Sequence, residues 1–301
     1  PKCRVTRCCW QETIKTVVEH AKDSFKYRTH TNRKGEWRGS FARVLNARQH
    51  SPLECGGFLV EQFIVVAHMV SLVTGASGFL GGHVVEALCK QGERVVVLAR
   101  KTSNISAVRH LPIEVRYGDL TDLASVKEAA RDVDRIYHCA GAVRYVVPYE
   151  ELYSANVRTT KNVVAAAAEA GAGMIVHASS QGVSGPQGLI DPNDDSGYSA
   201  SLKEKYCRSK TEAEIEFFRD CAKSGIMGVA LRPGVIYGPR DRIASLYWFR
   251  TVESGKVAFI GDGNSAFPLV YIDDLVKAFL AAGKKEGVAG KAYILDGPER
   301  V

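Results

Sequence analysis

The sequence predicts an α/β protein in which a doubly wound parallel sheet is followed by a small C-terminal substrate-binding region. Three observations predict it. From Met69 onward, short apolar runs of strand length alternate with longer stretches of helical periodicity. A glycine-rich turn joins the first apolar run to the first helical stretch. Small or polar residues stand directly after the later runs. Strands alternating with helices give a parallel sheet covered on both faces, and ligands of such sheets bind beyond the carboxyl ends of the strands.

The first unit is the most explicit. Residues 70–73 form a short strand that runs into Thr74-Gly75-Ala76-Ser77-Gly78-Phe79-Leu80-Gly81. A helix follows with Val84, Val85 and Leu88 on one face and ends near Gly92; the apolar run 95–98 then reads as a buried parallel strand. A G-x-x-G-x-x-G pattern between strand and helix, inside a unit of about 30 residues, is the context of a dinucleotide-binding (Rossmann) fingerprint. Gly75 permits the tight turn, Gly78 lets the backbone approach a pyrophosphate, and Gly81 permits close helix–strand contact. The helix N-terminus adds N–H donors and positive dipole. Ser77, Phe79 and Leu80 belong to the same turn and join the cofactor-binding candidates.

The second strand ends at Ala99-Arg100-Lys101-Thr102-Ser103. A dehydrogenase selective for NAD usually places an acid here, on the ribose 2′-hydroxyl. Arg100 and Lys101 instead suit a 2′-phosphate, so NADP is the expected cofactor and NAD the other choice.

Residues 113–117 alternate and lead to Gly118-Asp119-Leu120. A carboxylate just past a parallel strand faces the ligand crevice, so Asp119, with Leu120 beside it, is a candidate for the adenine amino group. It reads equally as the N-cap of a helix over 120–130, and the two readings are compatible. Residues 135–139 make the next strand, with Ala140-Gly141 as its small-residue turn. A long helix over 150–170 closes at Gly171, and a fifth strand, 174–178, leads to Ser179-Ser180. His138 and His177 lie in apolar strands with no acidic cluster beside them, so they read as core histidines and not as metal ligands. Asp273 reads as the N-cap of a helix over 275–282. No metal site is expected.

Tyr206-Cys207-Arg208-Ser209-Lys210 lies in a helical stretch over 202–223. Positions i and i+4 share a helix face, which brings the Tyr206 phenol and the Lys210 ammonium to one side. A free phenol titrates near about 10, and a neighbouring ammonium favours the phenolate. Tyr206 can then trade a proton with a carbinol or carbonyl oxygen while hydride moves to or from a nicotinamide. Ser180 can hold the same oxygen.

These segments resemble the extended short-chain dehydrogenases/reductases. The resemblance is carried by 74–81, His138-Cys139-Ala140-Gly141, Asn156-Val157-Arg158-Thr159-Thr160-Lys161-Asn162, Ser179-Ser180 and 206–210. It continues through Leu231-Arg232-Pro233-Gly234-Val235-Ile236-Tyr237-Gly238-Pro239 and Val270-Tyr271-Ile272-Asp273-Asp274. It implies an NAD(P)-dependent oxidoreductase or a sugar-nucleotide epimerase/dehydratase. It assigns Tyr206 as acid/base, Lys210 to Tyr206 and the nicotinamide ribose, and Ser180 to the reacting oxygen. Asn156 would support Lys210 through water, and Pro233, Val235 and Ile236 would flank the nicotinamide. Ser180 is preferred over Ser179 because the family's serine directly precedes the x-x-V-x-G turn, here 181–185.

Departures from the family narrow the substrate. The 4,6-dehydratases carry an Asp-Glu pair near a catalytic Thr, where this chain has Ser180-Gln181-Gly182. The nucleotide-sugar epimerases usually have Asn at Val235 and an Arg after the glycine pair, where Gly261-Asp262-Gly263 is followed here by Phe267. Val235, Phe267, Pro268 and Leu269 suit an apolar substrate, as in the 3β-hydroxysteroid dehydrogenase and dihydroflavonol reductase branches, although Phe267 reads equally as a core aromatic. The expectation is a dehydrogenase or reductase of an apolar or amphipathic secondary alcohol or ketone. The alternatives are a nucleotide-sugar 4-epimerase and, in another class, a non-catalytic NADP-binding regulator, against which Ser180, Tyr206 and Lys210 speak. Family members usually continue beyond the 233 residues that run from Met69, so the substrate region is expected to be truncated.

Composition sets the remaining bounds. The 301 residues are 46% apolar and 24% charged, which excludes disordered, collagen-like and disulfide-framework chains. The most apolar stretch, 58–73, is broken by Glu61, Gln62, His68 and Ser71, short of the roughly 18 uncharged residues of a membrane helix. Eight cysteines and a start without signal-peptide layout point to a reducing, cytoplasmic setting. Residues 1–68 hold 12 Lys/Arg against 6 Asp/Glu, whereas 69–301 hold 28 against 27. Of the net charge of +7, +6 therefore belongs to the leading segment. That segment could be a basic arm for nucleic acid or an acidic surface, or a metal site of Cys3, Cys8, Cys9 and Cys55, though it lacks a C-x-x-C pair. The preferred reading is a functionless extension or upstream sequence read in frame. The expected partner is a small-molecule substrate, without nucleic acid or membrane, with a homodimer left open.

Overall fold

The computed structural model describes residues 69–185, 197–199, 203–255 and 268–297. The basic segment 1–68 with its four cysteines, the turn at 261–263 and Phe267 lie outside the described residues.

In chain order the elements are β1 (Val70–Thr74), α1 (Phe79–Lys90), β2 (Arg94–Ala99), β3 (Ile113–Tyr117), α2 (Leu123–Ala130), β4 (Arg135–His138) and α3 (Tyr149–Leu152). A π-helical turn (Tyr153–Arg158) leads into α4 (Thr159–Ala170), then β5 (Met174–Ala178) and a 3-10 turn (Gln181–Ser184). After them come α5 (Lys205–Ser224), β6 (Met227–Pro233), β7 (Val235–Tyr237), α6 (Ala244–Glu253), β8 (Leu269–Tyr271), α7 (Ile272–Ala282) and β9 (Ala292–Leu295).

Seven strands make one sheet in the order β3-β2-β1-β4-β5-β6-β9, every pair parallel. Strand side chains alternate between faces, so neighbours in sequence enter different cores. Val73, Val95 and Val97 pack in one layer with Val85, Leu88, Leu275 and Phe279. Leu72, Val96 and Leu98 pack in the other with Val126, Val163 and Phe217. Helices α1 and α7 thus cover one face and α2, α4 and α5 the other. The order reverses between β1 and β4, and a crevice opens at such a point beyond the carboxyl ends. β7 and β8 form a separate two-stranded parallel ribbon after the sixth strand. Among the described residues no helix is long and apolar enough to cross a membrane.

Three local readings are corrected. The helix expected over 120–130 begins at Leu123, and its N-cap is Asp122, whose carboxylate accepts from Ala124 N at 3.1 Å. Asp119 closes a tighter turn of its own, accepting from Thr121 N at 2.8 Å and Thr121 Oγ1 at 2.7 Å, so it caps nothing. The helix expected over 150–170 is interrupted by the π turn that holds Asn156. Asp273 lies inside the first turn of α7, whose N-cap is Tyr271; it complements the helix dipole there.

Candidate active site

The glycine turn after β1 is shaped by close approach. Gly75 has φ +74°, and a Cβ there would stand 2.7 Å from Ala140 N. Gly78 N donates to Gly75 O at 2.8 Å, which closes the turn. A Cβ on Gly81 would run into the Gly75 carbonyl and stand 3.0 Å from Ala76 N. Gly78 caps α1 without a side chain, and no acid stands in the first turn, so the amino end of the helix suits an anion. Gly81→Ala is therefore expected to push α1 off the β1 turn and to weaken nicotinamide-dinucleotide binding at least tenfold, read by fluorescence titration. Unchanged binding would show that the turn does not hold the phosphates.

A cleft of about 520 Å³ opens beside this turn. Of the cofactor candidates, Gly75, Ser77, Gly78, Arg100, Asp119, Leu120, Ala140 and Gly141 line it. Phe79, Leu80, Gly81, Tyr206, Lys210, Pro233, Val235 and Ile236 do not; Leu80 is buried in the core and Phe79 packs against it. Lys101 is exposed and does not line the cleft, so of the two cations after β2 the structure brings only Arg100 there. Ser103 also lines it and accepts from Arg100 N at 3.2 Å, a contact the sequence reading missed although it lies three residues on in the same turn. Asp119 is held below the usual carboxylate range by its two bonds from Thr121, with Arg100 adding to the effect.

The Tyr206 end of the site is built on α5. Glu204 caps that helix, accepting from Tyr206 N at 2.9 Å and Cys207 N at 2.6 Å. The Tyr206 side chain is half-buried with its hydroxyl end desolvated. Burial pushes the phenol above its ordinary value, and a hydrogen bond from Ser180 opposes that. The Tyr145 ring meets it edge-on, centroids 5.8 Å apart. Lys210, one turn further, is buried and donates from Nζ to Ala178 O at 2.5 Å. Burial brings its ammonium down to about 8, against the pull of Glu214. The expected lowering of the phenol by Lys210 is corrected here: the ammonium is spent on the end of β5, and burial governs Tyr206.

The two serines after β5 part company. Ser179 Oγ donates to Glu214 Oε2, while Ser180 Oγ caps the 3-10 turn, accepting from Gly182 N at 3.2 Å. Asn156 is buried; its Oδ1 accepts from Ala142 N at 2.7 Å and its Nδ2 donates to Ser209 Oγ at 2.9 Å. A Cβ on Gly141 would stand 3.1 Å from Asn156 Oδ1 and 3.8 Å from Lys210 Nζ, so both side chains back the same turn. Pro233 ends β6, and Val235 and Ile236 sit in β7. Gly234 between them lies against the 3-10 turn, where its Cβ would come 3.1 Å from Gln181 Oε1. One feature escaped the sequence reading. Glu214 and Arg232 form a buried ion pair at 2.7 Å beneath Ser179, with Tyr198 donating to Glu214 Oε1 at 3.0 Å. No His/Cys/Asp/Glu cluster among the described residues could hold a metal ion.

Known proteins of similar sequence and fold identify the family. The sequence profile of the NAD dependent epimerase/dehydratase family matches residues 71–295. Sterol demethylase protein B of Methylococcus capsulatus is 34% identical over 235 residues, covering 76% of this chain and 70% of that protein. 3beta-hydroxysteroid-dehydrogenase/decarboxylase isoform 2 of Arabidopsis thaliana is 25% identical over 253 residues, covering 76% of this chain and 45% of its own. Among solved structures, the dTDP-glucose 4,6-dehydratase DesIV of Streptomyces venezuelae, with NAD bound, superposes with TM-score 0.68 at 25% identity, covering 77% of each chain.

Proposed function

The chain belongs to the NAD dependent epimerase/dehydratase family, an NAD(P)-dependent enzyme of the extended short-chain dehydrogenase/reductase type, and from that premise we propose that it interconverts an apolar or amphipathic secondary alcohol and ketone, with NADP preferred. The observation that carries this reading is the placement of Tyr206 in the first turn of α5, beside Ser180 just past the carboxyl end of β5 and one helical turn before Lys210.

A nicotinamide dinucleotide fits the residues present. The turn at 75–81 is drawn tight by Gly75 and Gly81, where a Cβ would strike Ala140 and the Gly75 carbonyl, and it sits beside the cleft at a bare helix N-terminus. Gly75 and Gly78 would hold the phosphates, with Gly81 letting α1 approach the turn, Arg100 would hold a 2′-phosphate and Asp119 the adenine. When bound, the cofactor supplies or accepts the hydride. Tyr206, its phenol raised by burial, is protonated at neutral pH. Its Oη therefore donates to the carbonyl oxygen as that oxygen gains negative charge, and Ser180 Oγ orients the same oxygen. In the oxidative direction the proton returns to Tyr206.

An apolar substrate is supported by what surrounds Tyr206. Tyr145, packed on its ring, lies in a loop with exposed Val143 and Val146, whose one charged residue, Arg144, is drawn toward Glu151 at 3.9 Å. The names of the sterol and hydroxysteroid relatives agree with this. A panel of apolar ketones and nucleotide sugars, with NADPH consumption and epimer formation both recorded, tests the reading. Ketone-dependent NADPH consumption is expected; epimer formation without net consumption would contradict it.

The cofactor preference has its own test. Wild-type protein is expected to bind NADPH several-fold tighter than NADH, and Arg100→Ala to abolish the difference by weakening NADPH alone. Equal affinities in the wild type, or an unchanged preference in Arg100→Ala, would refute the assignment.

A further inference from the structure

We propose that His138 is a positioning residue which, with its proton on Nε2, ties the cleft-lining turn after β4 to the segment carrying Asn156. The proposal rests on the reductase reading, because the alignment in question is that of the same site.

His138 is the last residue of β4 and is fully buried. Its Nδ1 lies 2.8 Å from Thr74 Oγ1 and its Nε2 3.1 Å from Thr160 Oγ1. Thr160 Oγ1 donates its one hydrogen to Asn156 O at 2.6 Å. It can therefore only accept from His138, which puts the proton on Nε2 and leaves Nδ1 bare. Nδ1 then accepts the Thr74 hydroxyl hydrogen, and Thr74 Oγ1 accepts from Ala140 N at 3.3 Å. The chain runs in one direction, Ala140 to Thr74 to His138 to Thr160 to Asn156, with no donor facing a donor. Burial, with Lys210 second, brings the imidazole down to about 3, so the ring stays neutral and the direction holds. His177 stacks on it at 5.3 Å between centroids and limits its tilt.

What the chain connects gives it a role. Thr74 directly precedes Gly75, and Ala140 lines the cleft against which Gly75 packs. Asn156 lies in the π turn, a departure from helical regularity often found at functional sites. Its side chain fixes Ala142 and Ser209, and Ser209 Oγ donates to Tyr206 O at 2.7 Å. The imidazole thus joins the turn that would hold the cofactor to the helix that presents the acid. Only a side chain with an acceptor on one side and a donor on the other continues the chain.

The test uses the full chain. Histidine ring nitrogen NMR on wild-type protein needs no turnover and should show Nε2 protonated and Nδ1 bare; a protonated Nδ1 would overturn the proposal. In His138→Phe the Ala140 amide should exchange with solvent faster, and unchanged protection would overturn it. With a ketone found on the panel, His138→Phe should lose about 10- to 100-fold in kcat with KM within about twofold, since a misplacement of about 1 Å can cost about 10²-fold. His138→Gln, which keeps a donor toward Thr160, should recover most of the loss. A merely structural histidine predicts lowered thermal stability, unchanged kcat in the folded fraction and no rescue by Gln. If no ketone on the panel is turned over, the functional reading fails while the tautomer and amide exchange still decide the role of His138.

Discussion

Replacing Tyr206 by Phe is expected to lower turnover by at least about 10²-fold, because general acid–base catalysis is typically worth about 10²–10⁴. The change deletes one hydroxyl and keeps the ring against Tyr145, so packing is nearly intact. Cofactor affinity should hardly move, since the phosphates rest on the turn at 75–81. Lys210→Met should do more: it removes the Nζ bond to Ala178 O at the end of β5 and the charge behind Gly141, and so should weaken turnover and binding together. A regulator without catalysis would have no turnover to lose. A Tyr206→Phe protein that keeps most of a demonstrated reductase activity would remove Tyr206 from the mechanism.

The largest effect on stability is expected at Glu214. This carboxylate is fully buried and accepts from Arg232, Tyr198 and Ser179. Removing one partner of a buried pair leaves a charge in low dielectric and typically costs about 3–5 kcal/mol. Glu214→Ala should therefore lower the unfolding free energy by about that amount, measured by denaturant titration. Replacing both residues by apolar ones of similar volume (Glu214→Leu with Arg232→Met) should cost far less than the single change, since neither charge is stranded. A single-variant loss below about 1 kcal/mol, as for a surface pair, would show that the pair is solvated.

The sheet was legible because its chemistry is local. A parallel strand buried on both faces must be apolar throughout, and a turn that passes under a pyrophosphate must be glycine, so β1, β2 and the turn between β1 and α1 can be read from residue types. The helix over 206–210 was legible for the same reason. What escaped depends on competition between neighbours or on contacts across the chain. Asp119 and Asp122 both precede α2, and only the bonds to Thr121 and Ala124 decide which of them caps it. Arg100 and Lys101 are adjacent cations, yet only Arg100 faces the cleft. The π turn leaves the apolar periodicity on either side of it intact, so the pattern over 150–170 reads as one helix. Glu214 and Arg232 are 18 residues apart, and Thr74 is 64 residues from His138; no spacing rule links such pairs. His138 was read as a core histidine, and so it is, but its hydrogen bonds exist only once β1, β4 and α4 are assembled.

The most direct test of hydride transfer is to follow deuterium. With NADPH deuterated at the transferred nicotinamide position and an apolar ketone, the expected result is one deuterium per turnover on the carbinol carbon of the product, with matching loss of NADPH. Product that forms without deuterium on that carbon, or a nucleotide sugar that is epimerised while the NADPH label is untouched, would contradict the assignment of this site as an alcohol dehydrogenase/carbonyl reductase.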